Sequence, residues 1–312
     1  MQLLFDYDGI MEGRGCFFMF QSFAKSKKIF LSVLVLLLAV ASCGVLAGRS
    51  VNTGASVKAA GKDTRSLPVI MYHGLLKDPA YQGKYVISPD ELEQDLCYLQ
   101  KKGYTPVHMQ DVFNWQDGKG NLPEKPIVLS FDDGYYNNYV YAYPLAKQYQ
   151  MKLVIAPIGS CTDRFTGAND DHANYSHVTW PQIQEMMDSG LVEFQNHTYD
   201  LHSNRNGRLG AQKLRAESME EYRRLLWEDV GGLQEKFAEK TGYTPSVFVF
   251  PFGAISDGAE EIVWEMGFRG IFTCESHINQ ISKKEEHLVL GRYLRPHGVS
   301  GEKFLSGILE SQ

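Results

Sequence analysis

Cysteine is scarce in this chain. Five in 312 residues are too few to staple a protein of this size, and no two of them show zinc-finger spacing. There is no Lys/Arg cluster of the kind that reads phosphates. A net charge of −6 argues further against a nucleic-acid partner. Internal repeats are absent too, which sets aside solenoids and propellers. What is present is apolar: with 44% hydrophobic and 22% charged residues, the chain can bury one large core and carry a tail. Of the cysteines, Cys16 falls in that tail and Cys43 in an apolar run. Cys97 sits on the apolar face of a predicted helix and is expected in the core. Cys161 and Cys274 follow apparent strands, where either could rim a site or the two could pair.

The N-terminus points to export. Lys25, Lys27 and Lys28 precede a nearly unbroken apolar run from Ile29 to Ala47. A run of roughly 17–25 such residues suffices to span a bilayer, with the basic flank left in the cytoplasm. Val40-Ala41-Ser42-Cys43 also fits a bacterial lipoprotein cleavage box, and small residues around Ala47 permit ordinary signal cleavage. All three place the remainder outside the cytoplasm. The first two tether it to the outer face of a bacterial membrane, and the third secretes it. The expected division is a tail over 1–24 (a mis-assigned start is one reading of it), a signal or anchor over 25–47, a flexible linker over 48–66 and a catalytic domain over 67–312. Phe5-Asp6-Tyr7-Asp8-Gly9 matches a phosphatase motif but lacks any strand–helix scaffold, so it reads as chance.

From Leu67 onward, strands and helices alternate. Strands are expected at Leu67–Tyr72, Ile127–Phe131, Lys152–Ile158, Leu191–Asn196, Ser246–Phe250, Gly270–Thr273 and Leu288–Leu294. Helices are expected at Pro89–Lys102, with Ser88 as N-cap and Glu91 completing a capping box, and at Tyr139–Gln150, Trp180–Ser189, Glu217–Thr241 and Ala259–Met266. A polar loop is expected at Ser160–Ser176. Alternation of this kind argues for a parallel α/β sheet.

Two stretches carry chemistry. Ser130-Phe131-Asp132-Asp133-Gly134 follows an apolar run, which puts two carboxylates at the C-terminal end of a buried strand, where active sites of α/β folds collect. His197-Thr198-Tyr199-Asp200-Leu201-His202 follows another. Histidines five apart on a helix would point roughly 140° away from each other, so both belong on a loop that can bend the rings inward. Two imidazoles and one carboxylate can hold a zinc-like ion with positions left open, and the second carboxylate is free to take a proton from water. Asp200 is a reserve base or an orienter of a ligand imidazole. Of the aromatics after Gly134, Tyr135 is the one credited with a site role. Trp180, His172 and His177 are candidates for a groove wall.

These residues resemble the polysaccharide deacetylases, metal-dependent esterases that remove acetyl groups from glycans. The family's Thr-Phe-Asp-Asp-Gly is matched with Ser130 in place of Thr, which implies Asp132 as catalytic base and Asp133 as metal ligand. Its His-(Ser/Thr)-x-x-His is matched by His197 and His202 with one extra residue, a form similar to the branch that deacetylates poly-N-acetylglucosamine. Its Arg-x-Pro-Tyr-Gly appears as Val249-Phe250-Pro251-Phe252-Gly253, which implies the Phe252 N–H as oxyanion donor beside Pro251.

Val249 replaces the Arg that orients the base, and Arg292 or Arg295 are the candidates to fill that role. The strand ending in His73 precedes the acidic motif, as in the circularly permuted branch. That order implies His73 as general acid in preference to His297.

The resemblance implies a distorted, incomplete (β/α) barrel and one divalent ion, zinc first with cobalt or nickel also fitting. It also implies an acetylated glycan as substrate. The alternatives are a catalytically weak glycan-binding protein, or an enzyme for peptidoglycan, xylan O-acetyl groups or a small cyclic amide.

Overall fold

The computed structural model describes residues 64–310. The tail, the apolar run with Cys43 and the linker as far as residue 63 lie outside these residues. Among the described residues no helix is long and apolar enough to cross a membrane.

Eight parallel strands carry the fold, numbered here along the chain: β1 Val69–Tyr72, β2 Pro126–Asp133, β3 Leu153–Pro157, β4 Val192–Phe194, β5 Val247–Val249, β6 Gly270–Phe272, β7 Leu288–Leu290 and β8 Tyr293–Leu294. They form two arcs, β8-β1-β2-β3-β4 and β5-β6-β7. A single bridge joins the arcs. Asn196 accepts from the Val249 N–H at 2.9 Å and donates to the Val247 carbonyl at 3.2 Å. At the other edge, the chain itself crosses from β7 to β8. A barrel that is hydrogen-bonded along each arc but pinned by one bridge between β4 and β5 is incomplete, as the sequence resemblance implies.

All eight residues of β2 are buried, because a parallel strand flanked on both faces reads as a continuous apolar run. Period-two alternation then sorts them. Ile127, Leu129 and Phe131 pack outward with the helices, while Val128 joins the inner cluster with Val154, Val249 and Leu290. Ser130 and Asp132 share the inward parity of Val128.

Helix ends follow their caps. Ser88 and Glu91 form the expected capping box, and the Pro89–Lys102 helix stops at Gly103 in the left-handed conformation. The long amphipathic helix starts at Met219 rather than Glu217, because Ser218 is its N-cap with Glu221 reciprocating.

Four expectations are corrected. Residues 64–66, read as linker, belong to a strand, Thr64–Leu67, paired antiparallel with Asn279–Ser282. The expected loop at 160–176 begins with a helix, Gly159–Ala168, whose weak formers are anchored by backbone bonds from Gly159 and Ser160 to the Thr198 and Tyr199 carbonyls. The expected strand Leu288–Leu294 breaks at Gly291, where any Cβ would collide with the Glu275 carbonyl and the His277 ring. Its two halves join different arcs. Cys97 is exposed, its thiol donating to the Tyr149 hydroxyl at 3.2 Å. The thiols of Cys97, Cys161 and Cys274 are all free, so Cys161 and Cys274 do not pair.

Candidate active site

Asp132 and Asp133 end β2 above the C-terminal mouth of the barrel. Asp133 takes φ 70° and Gly134 φ 68°, a turn that throws the Asp133 carboxylate sideways while Asp132 keeps pointing inward. A Cβ at Gly134 would strike Pro157, so glycine is required there. The π-helical turn Asn138–Ala142 follows. Such turns are frequent at functional sites. The Asn138 amide donates to the His73 carbonyl at 2.8 Å, and Asn137 accepts from the Leu75 N–H at 2.9 Å, which fixes the end of β1 beside the carboxylates.

The loop after β4 brings the two imidazoles in. Nε2 of His197 lies 3.5 Å and Nε2 of His202 3.3 Å from Asp133 Oδ1. The ligand atoms of the three residues all lie within 4.8 Å of one another. Asp133 Oδ1 is buried without a hydrogen-bond partner, a costly state for a carboxylate oxygen unless a cation is meant to meet it. His197 Nδ1 is held 2.7 Å from the Val249 carbonyl, which leaves Nε2 to face Asp133 in the manner of a metal ligand braced from behind. This donor set fits a divalent ion with N/O preference.

Asp132 is clamped. Arg292 Nη1 and Nη2 donate to its two oxygens at 2.6 and 2.9 Å, while Nη1 also reaches Ser130 Oγ at 3.0 Å and Nε the Thr273 carbonyl at 3.0 Å. Arg292 is 0% and Asp132 3% exposed. Two-pronged pairing of this kind fixes a carboxylate in plane as well as in charge. Burial pushes the Asp132 carboxyl up, but the Arg292 charge, then His197 and His73, outweigh it and hold it below the usual carboxylate range. Asp133 is held well below that range, with the approach of His197 overcoming burial. Burial lowers His73, against the pull of Asp132 and Asp133. Burial and the Asp133 charge raise Tyr135, so its phenol stays protonated.

A cleft of about 620 Å³ opens over these groups, lined among others by His73, Asp132, Asp133, Tyr135, His202 and Phe252. Phe252 takes φ 59° just after Pro251, and its ring lies 4.5 Å from that of His202. Six non-glycine residues have positive φ among those described. Three are Gln150, Asn169 and Asn206, at helix ends and a turn. The others, Asp133, Thr198 and Phe252, fall one in each site motif. Backbone strain of about 1–3 kcal/mol per residue gathers where side chains must be aimed.

Several expected residues stand elsewhere. Arg295 pairs with the buried Asp95 at 2.8 Å, and His297 with Glu91 at 2.8 Å. Asp200 is exposed, paired with Arg205 and Ser160 rather than a ligand imidazole. Trp180 is no groove wall: it is buried against Phe237, its indole N–H on Asp163. His172 is exposed and stacks on Tyr175, and His177 packs between Tyr135 and Phe165. Cys274 does line the cleft, together with Lys84 and Tyr85, which sequence reasoning missed. Their position on the loop after β1, at the C-terminal face of a barrel strand, was the available signal.

Comparison with known proteins gives a consistent picture. A family model described as polysaccharide deacetylase matches residues 119–271. A poly-β-1,6-N-acetyl-D-glucosamine N-deacetylase of Escherichia coli K12 is 28% identical over 261 residues, covering 78% of this chain but 38% of the relative. The chain thus spans about two fifths of that relative's length. A solved de-N-acetylase from Aggregatibacter actinomycetemcomitans superposes with TM-score 0.64 at 31% identity, covering 74% of this chain and 95% of that one. The solved IcaB from Ammonifex degensii gives TM-score 0.61 at 28% identity, covering 74% and 91%.

Proposed function

The chain belongs to the polysaccharide deacetylase family, and on that premise we propose that it is a metal-dependent hydrolase removing N-acetyl groups from an N-acetylglucosamine polysaccharide outside the cytoplasm. The observation that carries this reading is the meeting, in one cleft, of the trio Asp133, His197 and His202 with a second carboxylate clamped by a buried arginine.

Asp133, His197 and His202 would hold the ion, with zinc fitting the donors best and cobalt or nickel also compatible. Bound there, it supplies a Lewis acid for the acetyl carbonyl and acidifies water at the site. Asp132, kept ionised and in plane by Arg292, takes the proton of the attacking water. The Phe252 N–H is the proposed donor to the developing oxyanion, positioned by the turn at Pro251. Tyr135, a neutral phenol beside Asp133, bounds the acetyl pocket. His73 delivers a proton to the leaving amine.

Acetate release from a panel of glycans tests the substrate: β-1,6-linked and β-1,4-linked N-acetylglucosamine oligomers, peptidoglycan and acetylated xylan. The β-1,6 oligomers are expected to react fastest, in line with the name of the E. coli relative. Faster turnover of xylan esters would move the enzyme to O-deacetylation, and tight binding without acetate would leave a glycan-binding protein.

The proton donor is separable from the rest. His73→Ala is expected to cut amide turnover by about a hundredfold or more. It should spare an activated ester, whose leaving group needs no proton, and leave metal content intact. His297→Ala should leave amide turnover, ester turnover and metal content unchanged, since that ring is engaged with Glu91. The reverse pattern would put the acid at the C-terminus.

Export is proposed on the basic residues and apolar run before Gly48. Full-length protein should sediment with membranes, and protease added outside should reach residues beyond 48. Cys43→Ala should release the protein if that thiol is lipidated, and should change nothing if 29–47 spans the bilayer.

A further inference from the structure

Lys84 stands at the rim of the cleft and forms no ion pair with any described carboxylate. Its ammonium lies 4.9 Å from the centre of the Tyr85 ring, and Tyr85 in turn meets the His73 ring edge-on at 4.9 Å. The turn presenting both is held firmly. Gly83 N–H donates to the Val86 carbonyl at 2.8 Å, Gly74 N–H to Tyr85 at 3.1 Å, His297 N–H to Gly83 at 3.0 Å, and the Gln82 side chain to Leu76 at 2.7 Å. The ammonium thus stands one aromatic ring away from His73, the residue proposed above to protonate the departing amine. Of the other charges there, Arg292 is paired with Asp132, and Asp133 faces the two imidazoles with which it would hold the ion. Cys274, its thiol raised by burial, lines the same cleft.

The product of deacetylation is itself a cation. Water supplies an oxygen to the acetyl carbon, the C–N bond breaks, acetate leaves, and the freed amine takes up a proton near neutral pH. On a polymer, each finished unit thus carries a positive charge into the next encounter. A neighbouring unit lying on the Lys84–Tyr85 rim offers the tyrosine face a neutral sugar if acetylated. If already deacetylated, it brings an ammonium against Lys84. Two unit charges about 6 Å apart in half-wet surroundings repel by roughly tenfold in binding.

We infer that Lys84 is a specificity-determining residue that turns away glycan whose unit next to the reacting one has already lost its acetyl group, so that deacetylation falls at intervals and not in runs. This rests on the deacetylase reading above. The test uses the full-length chain and two β-1,6-linked N-acetylglucosamine tetramers, one fully acetylated and one with a single internal glucosamine. The rate of acetate release per unit substrate is measured at low and high salt. Wild type is expected to favour the neutral tetramer by roughly tenfold at low salt, and the ratio should shrink at high salt. Lys84→Gln should bring the ratio near one, and Lys84→Glu should invert it. A wild-type ratio near one, or a ratio unmoved by either substitution, overturns the inference and leaves the deacetylase reading standing. Acetate from neither tetramer overturns both.

Discussion

Asp132→Asn is expected to lower acetate release by about a hundredfold or more while the Asp133, His197 and His202 trio still binds its ion. The substitution preserves size and removes proton acceptance, so the loss should appear in turnover rather than in metal content. It should also cost stability. Arg292 is fully buried and its guanidinium finds its counter-charge in Asp132. Removing one partner of a buried pair leaves an uncompensated charge, a penalty of about 3–5 kcal/mol. Arg292→Met should be similarly harmful, since Asp132 would then be a buried carboxylate without its clamp. The double variant Asp132→Asn with Arg292→Met is expected to melt higher than either single variant, because no charge is then stranded. Acetate release near the wild-type rate in Asp132→Asn would show that another group takes the proton. Asp200 is a poor substitute, being exposed and engaged with Arg205 and Ser160.

His202→Ala should empty the metal site. The purified protein is expected to carry about one divalent ion per chain, and the variant to lose it along with acetate release. Full occupancy in the variant would remove His202 from the ligand set. A chelator should stop turnover without unfolding the domain. Three clusters of buried apolar side chains hold the strands and helices together independently of the site. A melting curve and an acetate assay on the same chelated sample separate the two effects. Far-ultraviolet dichroism lost on chelation would mean that the ion is structural.

Much of this protein can be read along the chain. The apolar run before Asp132 identifies a buried strand, and a buried parallel strand ending in two carboxylates identifies the mouth of a barrel. The spacing of five positions from His197 to His202 excludes one helix and so requires a loop. These inferences depend only on neighbours in sequence, where period and turn chemistry act. The Ser88 and Glu91 cap is legible for the same reason.

Other features depend on contacts between distant segments. Arg292 and Arg295 are three residues apart and indistinguishable by type. The break at Gly291, forced by close approach of the Glu275 carbonyl, sends the chain from one arc to the other. That crossing puts Arg292 on Asp132, 160 residues away, and Arg295 on Asp95. The Gly159–Ala168 helix has no strong local signal and exists because its first turn is tied to the loop carrying the histidines. Trp180 and Cys97 exchanged their expected places, since burial follows what packs over a helix and not its own pattern alone. The sequence by itself therefore determined the kind of chemistry and the elements that carry it, because these are local. Only the tertiary structure decided which arginine pairs with Asp132 and which with Asp95, because those pairings join segments far apart in the chain.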